Sequence, residues 1–349
     1  MKICFCNQDM SIGGSSTVIF EIIKNWPSTN DQLFLLLFFN NFDERYSLLK
    51  SITNLNIFFL KKTHTFDIPF LVRLKKKLKE ISPDVISSHL TCTFYLSILR
   101  IYKNCDFYHT VHSIPNKDLP YLYRVFLKKR FLNKQIQLIG CCDFISKETS
   151  KLYKTSCFTI NNGISLLNIN LPAKTEKIFC SFLYVGRLVK MKNVEVIISA
   201  FKKVKNNNAK LIVCGTGPEK DNILELIGTD NRICFVGKQD NVDIVYKQSD
   251  VLCLVSDWEG LPMTILEGLN YNLAFICKNI GGISSYVEND INGYLLSDSD
   301  VEAELTKKME FLADNLNRLN EMKTASSLIK ERASAKTMAL KYEQLFKTK

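Results

Sequence analysis

Apolar residues along this chain gather into short runs, and between the runs they recur every three or four positions. The runs are KICFC, LFLLLFF, LNIFFL, DVISSH, DFYHTVH and QLIGC in the first half, and FCSFLYVG, AKLIVCG, RICFVG, DVLCLVS and LAFIC in the second. Each is rich in branched or aromatic residues and reads as a buried strand, while the intervening stretches carry helical spacing. Strands alternating with helices predict parallel sheets made of βαβ units, hence an α/β chain of two doubly wound, Rossmann-like domains. The length, 349 residues, exceeds what one core ordinarily fills. The polar stretch SLLNINLPAKTEK at 165–177, holding Pro172, is the best joint. The expected organisation is therefore an N-terminal domain over 1–165, a linker over 166–177 and a C-terminal domain over 178–330. Residues 331–349 are expected to form a closing helix with the option of packing back on the N-terminal domain. Open α/β sheets bind ligands outside the carboxyl ends of their strands, so the chemistry is expected in the loops there, around a central cleft.

Composition narrows the class. No run approaches the eighteen or more apolar residues of a membrane span, because LFLLLFF (33–39) is bounded by Asp31, Gln32 and Asn40. The opening MKICFCNQDMSIGG turns polar within seven residues, unlike a signal peptide, and the expected location is the cytoplasm. The twelve cysteines are scattered through apolar runs and read as buried free thiols of a reducing compartment. Neither Cys4 and Cys6 nor Cys141 and Cys142 have zinc-ligand spacing, and with only four histidines to help, no metal site is expected.

The net charge of +11 is unevenly shared: residues 1–177 carry 24 Lys and Arg against 13 Asp and Glu, and residues 178–349 carry 22 of each. The excess concentrates in FLVRLKKKLKE (70–80) and YLYRVFLKKRFLNK (121–134), where apolar and aromatic residues alternate with lysine and arginine at helical spacing. Such segments suit an anionic membrane surface, which places the protein at the inner face of the membrane as a peripheral component. A solvated positive face is the plainer alternative. Nucleic acid is not an expected partner, because the neutral second half would then have no role.

Candidate chemistry lies where strands give way to helices. In YVGRLVKMKN (184–193) a strand ends at Gly186, and Arg187 and Lys192 precede a helix starting near Asn193. Two cations beside a helix amino terminus suit a diphosphate, although solvated loop charges would look the same. In CGTGPEKDNI (214–223), Gly215 and Gly217 are expected to let backbone approach a ligand closely, without the spacing of a dinucleotide fingerprint. In SDWEGLPMTILEGL (256–269), Gly260 permits a tight entry and Pro262 suits the first helical position, so a helix is expected from about Pro262 to Asn270. Its free N–H groups near Met263 and Thr264 would attract phosphate or sugar oxygens, Thr264 and Glu267 share one face, and Glu259 sits on the loop ahead. The flanking Leu261, Ile265 and Leu266 argue that this segment is largely buried, where a carboxylate needs a partner. In NQDMSIGGSSTVIFEI (7–22), Gly13-Gly14 leads into a helix that Ser15 or Ser16 is expected to cap. In FYHTVHSIP (107–115), His109 and His112 close a strand and are read as pointing one way, with His89 at the end of DVISSH a weaker copy. Asp298-Ser299-Asp300 is shaped like a metal-binding Asp-x-Asp, but its place ahead of a helical pattern favours capping.

In this order, Gly13-Gly14, His112, NNGI (161–164), GRLVKMKN, CGTGPE, FVG (235–237) and the pair Glu259 and Glu267, separated by seven residues, resemble the group 1 glycosyltransferases. These are retaining enzymes of GT-B fold that use nucleotide-sugar donors, and the resemblance covers nearly the whole chain. It implies that Arg187 and Lys192 hold the donor diphosphate and that Glu267 binds the ribose hydroxyls. It also implies that Glu259 contacts the transferred sugar with help from the backbone of Gly260 and Leu261, His112 stands near the reacting sugar, and Gly14 gives room to the donor phosphates. Glu259, His112, Arg187 and Lys192 are the catalytic candidates. Gly14, Arg187, Lys192, Gly217, Gly260, Leu261, Pro262, Met263, Thr264 and Glu267 are the candidates for holding the donor. The expected activity is metal-independent, cofactor-free transfer of a hexose, with retention, from a nucleotide-diphosphate sugar to a saccharide acceptor. That acceptor is expected to be lipid-linked and to belong to O-antigen, capsule or lipopolysaccharide assembly. A nucleotide-sugar epimerase of the same fold and a non-enzymatic anion-binding protein are the alternatives.

Overall fold

The computed structural model describes residues 1–11, 13–42, 45–65, 67–103, 105–168 and 179–348, apart from the side chains of residues 45, 46 and 102. Contacts divide the chain into two units, Met1–Ser165 with Ser334–Lys349, and Leu166–Ala333. Most of the stretch expected as a linker lies outside the described residues.

The first unit holds a seven-stranded sheet of β1 (Lys2–Asn7), β2 (Gln32–Leu37), β3 (Leu55–Phe59), β4 (Val85–His89), β5 (Asp106–Val111), β6 (Gln137–Gly140) and β7 (Cys157–Thr159). Its order is β3-β2-β1-β4-β5-β6-β7, with every pairing parallel. The second unit holds six parallel strands in the order β10-β9-β8-β11-β12-β13. These are β8 (Cys180–Val185), β9 (Ala209–Cys214), β10 (Ile233–Gly237), β11 (Val251–Leu254), β12 (Ala274–Lys278) and β13 (Gly293–Leu296). Each apolar run named above supplies one strand. Each sheet also reverses its winding once, between β1 and β4 and between β8 and β11, and those switch points are where doubly wound sheets take ligands.

Strands buried on both faces explain why the runs are nearly continuous in apolar residues: Ile3, Cys4, Phe5 and Cys6 of β1 are all fully buried. None of the twelve cysteines is in a disulfide, and all but Cys105, Cys157 and Cys234 are buried. The first helix, Gly14–Lys24, has Gly13 at its cap position without a side-chain bond. Ser15 and Ser16 therefore fall inside the helix, contrary to expectation, and the Ser16 hydroxyl donates instead to the Asp9 carbonyl at 3.2 Å.

The last helix, Ala335–Lys347, is capped by Ser334 and belongs to the first unit. Ala335 N–H donates to the Ile164 carbonyl at 2.9 Å, and the hydroxyls of Tyr342 and Thr110 meet at 3.2 Å. Phe346 packs on Tyr108 and Trp26 with ring centroids 4.9 and 6.1 Å away. Burying Met338, Tyr342 and Phe346 contributes about 1.5–3 kcal/mol each. Among the described residues no helix is long and apolar enough to cross a membrane.

Candidate active site

In the second unit the loops after β8 and β11 are tied to each other at the switch point. Asn193, in a left-handed conformation ahead of the helix Val194–Lys202, donates its side-chain amide to the Val255 carbonyl at 3.1 Å and to Asp257 Oδ1 at 2.7 Å. Asp257 N–H donates to the Met191 carbonyl at 2.8 Å. Lys192 thereby reaches Glu259: its ammonium donates to Glu259 Oε1, which also accepts from the Ser256 hydroxyl at 2.7 Å. Both side chains of the ion pair are mostly buried, at 15% and 11% exposure. Arg187 lies exposed on the same loop. Its carbonyl accepts from the Tyr184 hydroxyl at 2.8 Å, and burial, reinforced by the charge of Glu259, drives that phenol well above its usual range.

Glycine shapes these loops, though in one place for a different reason than expected. A Cβ on Gly215 would lie 1.8 Å from the Gly186 carbonyl oxygen, and one on Gly217 would lie 2.3 Å from that of Leu188. What Gly217 admits is thus the neighbouring loop's own backbone. The consequence for a ligand is indirect: Leu188 N–H donates to the Thr216 carbonyl and Glu219 N–H to the Leu188 carbonyl, fixing the segment that carries Arg187.

The helix after Glu259 runs Met263–Asn270, with Pro262 one place earlier than the first-turn position expected for it. Leu261, Pro262 and Met263 are buried, so only their backbone is available to a ligand, and Thr264 is half-buried. An eight-residue helix whose first N–H groups have no intrahelical acceptor concentrates partial positive charge one residue after the proline. Glu267, on the next turn, accepts from the Tyr246 hydroxyl at 2.6 Å through Oε2. Tyr246 is buried and stacks on Tyr271 with ring centroids 5.3 Å apart and planes within 3°. Burial and then the charge of Glu267 push its phenol far above the usual value, so the proton stays on the tyrosine. Gly260 is held from the other side: Gly282 N–H donates to its carbonyl at 2.7 Å, and a Cβ on Gly281 would meet the Glu259 and Gly260 carbonyl oxygens at 2.4 and 2.5 Å. Tyr246, Ser256 and Gly281 were not anticipated. Gly281-Gly282 follows β12 as Gly13-Gly14 follows β1, and the same reading would have found it.

In the first unit Gly14 opens the helix after β1, and three histidines gather where β4 and β5 end: His89 closes β4, His109 lies in β5 and His112 follows it. His109 and His112 do not share a direction. They are an odd number of positions apart and β5 ends at Val111, so alternation separates them. His109 joins Thr93 Oγ1 at 2.6 Å and Asp118 Oδ2 at 3.0 Å, whereas the His112 ring stacks on His89 with Nε2 2.7 Å from His89 Nδ1. Asp118 then takes the His112 backbone N–H at 2.8 Å. Burial pushes His112 down to about 4 despite Asp118 and holds His89 well below its ordinary value, so both rings are neutral near pH 7.

Asp300 caps the helix Val301–Asp314 by accepting from Ala303 N–H at 3.1 Å, and Asp298 pairs with Lys278 at 2.9 Å, which bears out the capping reading. Among the described residues no three His, Cys, Asp or Glu side chains gather as a metal ion would require.

Two all-parallel sheets, each reversing once and each with polar loops at that reversal, place the chain in the GT-B class of α/β proteins. Anabaena HepE, solved in complex with UDP and glucose, shares the fold at a TM-score of 0.83 over 100% of both chains, with 17% identity. Residues 169–328 match the family model described as glycosyl transferases group 1, and residues 12–166 match that of glycosyltransferase family 4. Together the two matches run over nearly the whole chain, which belongs to the group 1 glycosyltransferases. The N-acetyl-alpha-D-glucosaminyl L-malate synthase of Bacillus anthracis is 25% identical over 66% of this chain, which spans 54% of that relative's length. The lipopolysaccharide 1,6-galactosyltransferase of Escherichia coli is 25% identical over 93% of each chain.

Proposed function

We propose that the protein transfers a hexose from a nucleotide-diphosphate sugar to a saccharide acceptor during assembly of a cell-surface polysaccharide. The observation that carries this reading is the Lys192–Glu259 pair, set beside Arg187 and ahead of a helix N-terminus at the β8/β11 switch point. Breaking the bond between sugar and phosphate builds negative charge on the departing diphosphate, and fixed cations with aligned N–H groups stabilise charge where it forms. Arg187 and Lys192 take the diphosphate, Lys192 passing from Glu259 to the phosphate as the donor enters. Glu259 then turns to the sugar hydroxyls, and Glu267 accepts from the ribose hydroxyls while Tyr246 steadies its other oxygen. His112 contacts the transferred sugar, and Gly14 leaves room for donor phosphates. The leaving phosphate takes the acceptor's proton on the face it vacates, which retains the anomeric configuration, and the cations fill the part a metal ion would otherwise play. Proton NMR of the purified product, made with chelator present, tests this: an anomeric coupling matching the donor's is expected, and an inverted product or a strict metal requirement would overturn it.

The reading extends to a lipid-linked acceptor at the inner membrane face. The helix Tyr121–Leu132 buries only Leu127 and Phe131 and exposes Tyr121, Leu122, Val125 and Phe126 beside Lys128 and Lys129. The helix Ile68–Ile81 exposes Ile68 and Val72 with Lys75, Lys76 and Lys79. Apolar contact flanked by lysines is what anionic headgroups favour. Flotation with anionic vesicles at low salt, lost in Leu122→Glu/Val125→Glu, is the expected result, and absence of binding by the wild type would remove the membrane from the account.

A further inference from the structure

His89 ends β4, is 0% exposed, and has no direct access to a ligand. Its two ring nitrogens are nonetheless both engaged. Nδ1 lies 2.7 Å from His112 Nε2, and Nε2 lies 3.3 Å from the Ser87 hydroxyl. A neutral imidazole carries one N–H, and the bond made by one nitrogen decides where that proton sits. The two histidines are therefore locked together: a proton on His89 Nδ1 leaves His112 Nε2 as acceptor and puts the His112 proton on Nδ1. The opposite arrangement puts the proton on His112 Nε2 and leaves a lone pair on Nδ1.

Ser87 breaks the tie. Its hydroxyl is fully buried, and His89 is its one side-chain partner among the described residues. Leaving a buried donor without an acceptor is costly, so the hydroxyl donates to His89 Nε2. His89 then donates from Nδ1 to His112 Nε2, and His112 is left with a proton on Nδ1, which makes no hydrogen bond among the described residues. We infer that His89 is a positioning residue for His112, holding its ring and, with Ser87, fixing it as the Nδ1–H form that donates to an oxygen of the transferred sugar. This rests on the reading that places His112 at that sugar. Asp118 contributes the other restraint by holding the His112 backbone, and is itself anchored by the buried His109.

The test uses the full chain labelled with ¹⁵N-histidine, in which only His64, His89, His109 and His112 give signals and single variants assign them. In the wild type His112 should be protonated at Nδ1, with coupling across the hydrogen bond between its Nε2 and His89 Nδ1. In Ser87→Ala the population should move toward the Nε2–H form, and in His89→Leu the coupling should vanish. Turnover, followed as UDP release from UDP-glucose and UDP-galactose, should fall about 10- to 100-fold in His89→Leu with the donor KM little changed. His89→Asn, whose amide stands where Nδ1 stood, should recover most of it. A wild-type His112 protonated at Nε2, or a His89→Asn no better than His89→Leu, would overturn the inference. If His89→Leu does not fold, Ser87→Ala decides by the same spectrum. Wild-type turnover in His112→Gln would instead defeat the assignment of His112 to the sugar, an outcome the tautomer measurement keeps separate.

Discussion

Replacing Glu267 by alanine removes a carboxylate that the fold uses to hold Tyr246 and the proposed reaction uses to hold the donor, and the two consequences can be separated. In the free protein its Oε2 satisfies the hydroxyl of the buried Tyr246 at 2.6 Å. Without it that hydroxyl is stranded, which costs about 1–3 kcal/mol. For a unit of this size that is a fall in Tm of about 2–12 °C. In the proposed donor complex the same carboxylate accepts from ribose hydroxyls, and losing charge-assisted bonds worth about 1.5–3 kcal/mol should weaken UDP binding roughly 10- to 150-fold. The second substitution, Tyr246→Phe, divides the effects. In the double variant neither partner is stranded, so most of the lost Tm returns, while UDP affinity stays low because the ribose has lost its acceptor. Calorimetric titration with UDP well below the melting range, alongside thermal denaturation, gives both numbers for the four proteins. An E267A protein that melts early yet binds UDP like the wild type would refute the assignment, as would a double variant in which affinity and Tm recover together.

Glu259→Gln should lower turnover roughly 100-fold while UDP binds at least as tightly as to the wild type, because Lys192 no longer has a carboxylate to leave; weaker UDP binding in steady calorimetry would contradict the exchange of partners. Gly215→Ala should cost at least about 2 kcal/mol by driving a methyl into the Gly186 carbonyl, whereas Gly13→Ala, where a Cβ meets nothing within 4 Å, should cost less than about 1 kcal/mol; urea denaturation compares them. Stability should also fall with acid. His112 is held down at about 4 against an ordinary 6.5, and burial holds His89 well below 6.5 too, so below about 6.5 the unfolded chain binds protons that the native chain refuses. The contribution is full above that value and declines as pH falls toward 4, so the urea midpoint should be lower at pH 5 than at pH 7, and equal midpoints would count against neutral buried rings.

The fold was legible because strands buried on both faces write themselves as apolar runs, and the two strands that escaped notice lack that signature. β7 is three residues long with no fully buried side chain, and β13 begins at Gly293. There a Cβ would meet the Phe275 carbonyl at 2.5 Å, so a residue that usually marks a turn is required inside a strand. The candidate site divides the same way. Glycines, cations and carboxylates at strand ends could be picked out by type, but the pairing of Lys192 with Glu259 depends on β8 and β11 being neighbours, a property of strand order that no local spacing records. Tyr246 and Ser256 stay hidden for a related reason: one reads as an aromatic core residue and the other as a turn serine until their hydroxyls are found on the two glutamates. His109 and His112 were separable from the sequence, because three positions is an odd interval in a strand and puts the two side chains on opposite faces, and β5 stops before His112 in any case.

The most direct test of a nucleotide-diphosphate sugar site is thermal denaturation against uridine, guanosine and adenosine diphosphate sugars with chelator present. A ligand at about 100 times its Kd stabilises the native state by roughly 2.7 kcal/mol, enough for a clear rise in Tm. The account predicts such a rise with the sugars of one base, abolished in Arg187→Ala/Lys192→Ala and undiminished by the chelator. A folded protein whose Tm responds to none of these donors would contradict it.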